Sequence, residues 1–137
     1  MSTRTALRPQ IVIPSAQGVP ANSSSMAANI TAAPTILNSL TLYSYSVSWT
    51  GVAPVGVLSV EASNDCVILA AGGVSGGTWN PIPLGLLGAT VFSIPISGNS
   101  GNGMIDIERH GVFAVRLVYT ATSGTGTLSA TINGKVA

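Results

Sequence analysis

Asp106, Glu108 and His110 are the side chains whose types and spacing come closest to a chemical site. Alternate residues of a β-strand project from one face, so this spacing would place two carboxylates and an imidazole in a row that binds a divalent metal or moves a proton. The alternative is a solvated strand face that forms an ion pair with Arg116 on the next strand. Metal sites normally draw ligands from several segments, and the chain has only two further carboxylates. We therefore expect the solvated face and no bound metal.

The sequence has residues for nucleophilic catalysis but not the elements that would position them. Serines are many and His110 is present, but a serine nucleophile elbow needs a strand, a sharp turn and a helix, and no window shows helical periodicity. Cys66 opens a short apolar run, where a small buried thiol is the usual state; one cysteine matches neither an intrachain disulfide nor a metal-ligand spacing. The glycines of 98–103 lack the Gly-Lys-Ser/Thr sequence of a phosphate loop. We expect no catalysis and no cofactor.

The scarcity of charge indicates the class of protein. Only 7% of the 137 residues are charged, against roughly 25% in an ordinary soluble domain, and the net charge is +1. Five basic residues cannot neutralise a row of phosphates, which excludes a nucleic-acid groove. Pro, Gly, Ser and Asn interrupt the uncharged runs 9–60 and 66–105, which excludes a membrane span. Nearly neutral proteins tend to associate, and charges are depleted from the buried centres of interfaces. The composition therefore predicts a component of an assembly.

Residues 1–34 are predicted to form an extended N-terminal arm and residues 35–137 a single β-sandwich domain. Four prolines bias the first segment toward extended backbone, although a flexible tail is an alternative. Its apolar stretch can add a short strand to its own sheet or to a neighbouring one, and Pro14 interrupts that stretch before a signal-type core can form. Cytosolic folding is the simplest expectation. The arm residues expected to contact a neighbour are Leu7, Arg8, Ile11, Val12 and Ile13.

From about residue 40 the apolar residues recur with period two, which predicts β-strands. Tyr43, Tyr45, Val47 and Trp49 alternate with serines in the pattern of a half-buried strand, which we expect to end in a turn at 50–51. The other predicted strands are 55–62, 66–71, 90–96, 104–108, 112–120 and 127–132, with the last two joined by a hairpin at 123–126. This pattern predicts an all-β fold: a jelly-roll or β-sandwich of about eight strands with an extended N-terminal arm.

Trp79 differs from the other aromatic residues because it lies in a Gly- and Pro-rich loop, 74–89. Tyr43, Tyr45 and Trp49 have the spacing of core residues, whereas an exposed Trp can stack on a sugar ring or anchor an interface. Trp79 is therefore a candidate interface residue. It is also the basis of an alternative function, a carbohydrate-binding module whose site is built from the loops 72–89 and 97–103.

Three short stretches rich in turn residues occur together in this chain. They are 46–51 (Ser-Val-Ser-Trp-Thr-Gly), 60–65 (Val-Glu-Ala-Ser-Asn-Asp) and 115–128, which joins an Arg-x-x-Tyr strand to Ser-Gly-Thr-Gly. In this combination they resemble small β-sandwich proteins of tailed-phage virions, over residues 29–135, and are most similar to the cement proteins of short-tailed phages such as those of Bordetella. The chain departs from the family pattern after Asp65, where the family usually has Gly and a nearby Trp.

The resemblance implies a capsid cement or decoration protein, a jelly roll that binds the outside of a phage capsid and stabilises it by bridging subunits of the major capsid protein. It also implies self-association as a homodimer or homotrimer at symmetry axes, and a location in the virion after assembly in the host cytoplasm. The expected partners are the major capsid protein and the protein itself, with no nucleic acid and no membrane. The alternative is a carbohydrate- or host-receptor-binding β-sandwich module of a phage fibre or spike.

Overall fold

The computed structural model describes residues 6–13, 24–37, 42–70, 74–86, 89–108 and 112–135. These residues form β-strands and no helix, which confirms the predicted all-β class. In the described part of the chain no helix is long and apolar enough to cross a membrane. The strands are β1 (Ala6–Ile13), β2 (Ser24–Ser25), β3 (Ile30–Thr31), β4 (Thr35–Ile36), β5 (Leu42–Ser63), β6 (Val67–Ile68), β7 (Val74–Ser75), β8 (Asn80–Pro81), β9 (Leu84–Leu86), β10 (Ala89–Val91), β11 (Ile94–Ile96), β12 (Ser100–Glu108) and β13 (Ala114–Lys135).

The two long strands, β5 and β13, pair with each other from end to end. Their antiparallel register begins with Leu42 opposite Lys135 and continues over 22 residues of each strand. The predicted turn at 50–51 and the predicted hairpin at 123–126 are therefore wrong, because the chain reverses at neither place. The two strands predicted on either side of the turn at 50–51 are the single strand β5, and the two predicted on either side of 123–126 are the single strand β13.

The glycine-rich stretches form an irregular region in the middle of this ribbon. Gly51 lies opposite Gly126, and the register shifts twice between Ala121 and Thr125. Ala53 and Gly124 have positive φ angles of 45° and 81°. A β-bulge needs the same conformational freedom as a tight turn, so it recruits the same residue types. This is the physical reason that the sequence pattern predicted turns.

The ribbon folds over at this bulge, and its two halves form the two layers of a sandwich. In β5 the buried residues are odd-numbered before the bulge and even-numbered after it: Tyr43, Tyr45 and Val47, then Leu58, Val60 and Ala62. In β13 they are Val115, Leu117 and Tyr119, then Leu128, Ala130 and Ile132. All of them belong to one core cluster. A straight ribbon of 22 residues would be about 70 Å long, so its ends could not share a core unless it folded.

Each layer is a sheet four strands wide, and the ribbon of β5 and β13 supplies its two central strands. Layer one consists of β1, the second half of β13, the first half of β5, and β12, with β2 beside β1 on β13. Layer two consists of β3 and β4, the first half of β13, the second half of β5, and then β8 and β11. Short hairpins, β6 with β7 and β9 with β10, complete the described fold. This is an antiparallel β-sandwich, while the jelly-roll strand order stays a prediction.

The segment predicted as an arm lies along β13. The backbone of β1 pairs with residues 130–135 of its own chain, and residues 24–36 follow the rest of β13 in short extended pieces. Met26 and Ala32 are buried in the core. The division of the chain into an arm and a domain at residue 34 stays a prediction.

Three buried tyrosines give the core an unusual polar content. Tyr43, Tyr45 and Tyr119 are 3%, 0% and 0% exposed, which confirms the predicted place of Tyr43 and Tyr45 in the core. The rings of Tyr43 and Tyr45 meet edge to face with centroids 6.5 Å apart. Among the described residues none of the three hydroxyls has a hydrogen-bond partner. Burial raises the pKa of each phenol, so all three stay neutral at physiological pH.

Candidate interaction surfaces

The acidic row on β12 does not pair with Arg116. Asp106 is exposed on β12 opposite Ser44 of β5, in layer one, whereas Arg116 lies in layer two. The predicted ion pair is therefore wrong, because the bulge places these two chain segments in different layers. Glu108 ends β12, and His110 lies outside the described residues. Within the described ranges no cluster of three His, Cys, Asp or Glu residues could hold a metal.

Arg116 instead joins Glu61 and Trp79 on the outer face of layer two. Arg116 on β13 lies directly opposite Glu61 on β5, and its Nε and Nη2 atoms each donate to Oε1 of Glu61 at 2.8 Å. The guanidinium carbon lies 4.2 Å from the centroid of the Trp79 ring. Both charged side chains are partly exposed, at 24% and 22%, so the ion pair is worth at most about 1 kcal/mol. Its effect is to hold a guanidinium and an indole in fixed positions at the surface.

The loop that carries Trp79 is shaped by its glycines. Gly76 and Gly77 have positive φ angles of 64° and 92°, and the indole Nε1 donates to the Gly76 carbonyl oxygen at 3.0 Å. At Gly77 a Cβ atom would lie 2.8 Å from the Cα atom of Cys66, so only glycine allows this approach. Trp79 is half-buried, and Arg116 covers one face of its ring. Because a sugar ring stacks on a free aromatic face, the face of Trp79 that Arg116 covers is closed to a sugar.

Asp65 closes the base of the loop between β5 and β8. Its Oδ1 atom accepts hydrogen bonds from the Thr78 amide at 2.7 Å and from the Ser63 hydroxyl at 2.9 Å. These bonds lower the pKa of Asp65, the Thr78 amide contributing most. A cavity of about 340 Å³ lies beside this contact, lined by Ala62, Ile82, Val112 and the polar side chains of 63–65, 78 and 80. Its walls are built from a clamped loop and two strand ends.

We expect Asp65→Asn to remove an acid-sensitive part of the stability. The folded carboxyl has a lowered pKa, so its stabilising effect is complete above the unfolded value of about 3.9 and is lost as pH falls through the folded value. Melting temperatures measured from pH 7 to pH 2.5 should fall less steeply for Asp65→Asn than for the wild type below about pH 4. Asp106→Asn, a change at an exposed carboxylate on β12, is the control. Equal slopes for wild type and Asp65→Asn would contradict this role.

The hairpin of β6 and β7 exposes three consecutive large apolar side chains. Val67, Ile68 and Leu69 are 60%, 55% and 47% exposed, and we call these residues the apolar tip. The sequence predicted one apolar strand over 66–71, but β6 covers only two residues and its side chains face outward. Among the described residues of that predicted strand, 66–70, only Cys66 is buried. A run of exposed apolar residues is costly for a free soluble domain and marks an interaction surface.

Phe113 lies at the same end of the sandwich as the apolar tip. Ser63 at the end of β5 pairs with Ala114 at the start of β13. The segment after Ser63 and the segment before Ala114 therefore leave the sandwich at the same end. The Phe113 amide donates to Oδ1 of Asn64 at 2.8 Å, and its side chain is 36% exposed. The apolar tip, Phe113, the 340 Å³ cavity and the Trp79 loop therefore belong to one end of the molecule.

The loop 97–103 lies at the other end of layer two. Its Asn99 carbonyl accepts from the Gly51 amide at 2.7 Å, and its Asn99 side chain accepts from the Ala53 amide at 2.8 Å. Trp79 lies beside Glu61 instead. Eight residues of extended strand separate Ala53 from Glu61, a distance of about 25 Å. The structure therefore places Trp79 far from the described part of the loop 97–103.

Residues 73–77 have the Gly-x-Ser-x-Gly spacing of a nucleophile elbow, a motif that the sequence analysis missed. Ser75 ends the two-residue strand β7, and an irregular segment with positive φ angles at Gly76 and Gly77 follows it rather than a helix. An elbow needs the helix that follows its serine. Cys66 is a buried free thiol, and its possible partner His110 lies outside the described ranges.

Comparison with known proteins shows the fold. No known protein family matches the chain, and no curated protein matches it by sequence. Among solved structures, the SPBc2 prophage-derived protein YomS is similar, with a TM-score of 0.52 and 9% identity over 97% of this chain and 96% of that chain. At this identity the likeness is one of fold.

Proposed function

We propose that this chain is a structural protein of a phage particle that binds the outside of the capsid and bridges neighbouring subunits of the major capsid protein. On this proposal it is a cement or decoration protein, catalyses no reaction, and acts in the virion after assembly in the host cytoplasm. It associates with copies of itself as a homodimer or homotrimer. It binds neither nucleic acid nor membrane.

The apolar tip is the observation that carries the proposal. Three adjacent side chains are 47% to 60% exposed on a hairpin whose base is clamped by the Asp65–Thr78 hydrogen bond. Full burial of an exposed apolar side chain of this size is worth about 1.5–3 kcal/mol, of which roughly half is still to be gained here, and a clamped hairpin loses little conformational entropy on binding. Trp and Arg, the residue types of the nearby Trp79–Arg116 pair, are those that most often anchor interfaces.

Composition and similarity support the phage assignment. A surface with few charges has few ions to desolvate when it is covered. The motifs at 46–51, 60–65 and 115–128 resemble phage decoration proteins, and the fold is similar to that of a prophage-derived protein. Together these findings favour a virion component over a carbohydrate-binding module.

The test is binding to shells assembled from the phage's major capsid protein. We expect the purified protein to sediment with such shells at a ratio fixed by the number of capsid subunits, and to raise their resistance to heat. A protein that stays in the supernatant would contradict the proposal. Sugar-specific binding on a glycan array, lost in Trp79→Ala, would instead support the fibre or spike module.

Deleting residues 1–20 tests the role of the arm. We expect the truncated protein to keep its sandwich, because β5 and β13 still pair over 22 residues of each strand, and to lose binding to the shell. Circular dichroism checks the fold and sedimentation checks the binding. Undiminished binding by the truncated protein would refute a role for Leu7, Arg8, Ile11, Val12 and Ile13.

A further inference from the structure

We propose that copies of this protein associate edge to edge: β1 of one copy adds to the outer edge of β12 of the next copy and extends layer one across the boundary. This inference rests on the self-association in the proposed function and specifies the two surfaces that form it. In this arrangement β1 pairs along one edge with β13 of its own chain and along the other edge with β12 of the neighbouring copy.

Both strands are edge strands of the same layer. In the part of the chain that the structure describes, β1 forms ladder hydrogen bonds only with β13 and β12 only with β5, although β9 also contacts β12. The strands have similar lengths, eight and nine residues. An unpaired edge presents a row of free amide and carbonyl groups that can accept another strand. β12 contains no Pro or Lys to block such pairing, and its Met104 is 69% exposed.

The strand directions suit this pairing. β1 is antiparallel to β13, β13 is antiparallel to β5, and β12 is antiparallel to β5. β1 and β12 therefore run in opposite directions within the layer. A second copy placed beside the first in the same orientation offers β1 antiparallel to β12, which is the more stable strand pairing.

An acidic and a basic residue lie at opposite ends of one row of register partners that crosses layer one. Asp106 on β12 lies opposite Ser44, and Ser44 lies opposite Asn133 of β13. The residues that flank Asn133 pair with β1 on either side of Arg8 and Pro9. Continuing this row into a second copy brings Arg8 of that copy opposite Asp106. In a chain with nine charges, an acidic and a basic residue at matching levels of opposite edges are complementary.

The contact is head to tail, because different surfaces meet. Such a contact closes into a ring when the rotation between copies permits, which suits an oligomer on a symmetry axis. Pro9 lies at a register shift of β1 and has no amide hydrogen, so the strand pairing depends on the residues to either side. The ion pair selects the register, while backbone hydrogen bonds and apolar side chains supply most of the affinity.

Charge reversal with rescue tests the pairing in the full-length protein. Arg8→Asp and Asp106→Arg should each weaken self-association roughly tenfold in sedimentation equilibrium. The double variant should restore it, because every contact of the ring then joins opposite charges. Thr120→Arg, which adds the same charge to an exposed position of layer two, is the control. Failure of the double variant to restore association overturns the proposal.

Cross-linking supplies a second measurement that does not depend on the size of the electrostatic effect. Within one chain β1 and β12 are three strand spacings apart, about 14 Å, which is too far for a disulfide. A mixture of R8C and D106C should therefore oxidise to dimers. Dimers of R8C with N133C in place of these would show exchange of β1 onto a neighbour's β13 and would overturn the edge contact. A wild-type protein that stays monomeric overturns this pairing and the proposed oligomer, while sedimentation with shells reports capsid binding separately.

Discussion

Replacing Gly124 by alanine is expected to destabilise the protein by about 3 to 5 kcal/mol. Gly124 has a φ of 81°, where a residue with a Cβ atom is strained. A Cβ atom there would overlap the carbonyl oxygen of Ala53 and lie 2.6 Å from the carbonyl carbon and 2.7 Å from the Cα atom of Pro54. The alanine side chain can be accommodated only if β5 and β13 separate at the bulge. The ribbon folds into two layers at this bulge, so the sandwich depends on the close contact of the two strands there.

Two variants separate the contributions to this loss. Gly76→Ala has a similar φ of 64° but no atom within 4 Å of the added Cβ, so it should cost only about 1 to 2 kcal/mol. Gly51→Ala, with a Cβ atom that would overlap the backbone at Gly126, measures the steric contribution at a position whose φ carries no strain. Chemical denaturation gives the free energy of unfolding for each. A Gly124→Ala protein as stable as Gly76→Ala would show that the bulge does not require this contact.

Placing a charge in the apolar tip is expected to lower binding to capsid shells at least about a hundredfold. In Ile68→Asp the apolar burial of one side chain is lost, and a carboxylate must be desolvated at the contact. Because Ile68 is 55% exposed in the free protein, the free energy of unfolding should change by no more than about 0.5 kcal/mol. Sedimentation with shells measures the first quantity and chemical denaturation the second.

Val52→Asp is the matched control for this substitution. Val52 is 73% exposed and lies in the bulge, opposite Thr125 and far from the apolar tip. The same carboxylate at this position should leave binding unchanged. If Ile68→Asp binds shells as the wild type does, the apolar tip is not the docking surface. If Val52→Asp also loses binding, the loss is caused by the added negative charge itself and not by its place in the apolar tip.

The local pattern of the sequence was sufficient for the class of fold and for part of the core. Alternation of apolar and polar residues is a property of neighbours in the chain, and it correctly predicted that Tyr43, Tyr45 and Val47 face inward. The absence of helical periodicity correctly predicted an all-β chain. The scarcity of charge follows from composition alone, and so does the expectation of an assembly component, which stays a prediction.

Tertiary structure decided what depends on residues far apart in the chain. Glycines at 51, 124 and 126 suit a turn and a bulge equally well, and only the pairing of β5 with β13 shows which one forms. Arg116 was expected to face the acidic row of β12, but register placed it opposite Glu61, because residues 55 apart in the chain are neighbours in space. The apolar stretch 67–69 reads as core in the sequence, yet it is exposed because the clamp at Asp65 and the glycines of its loop hold the hairpin outside the sandwich.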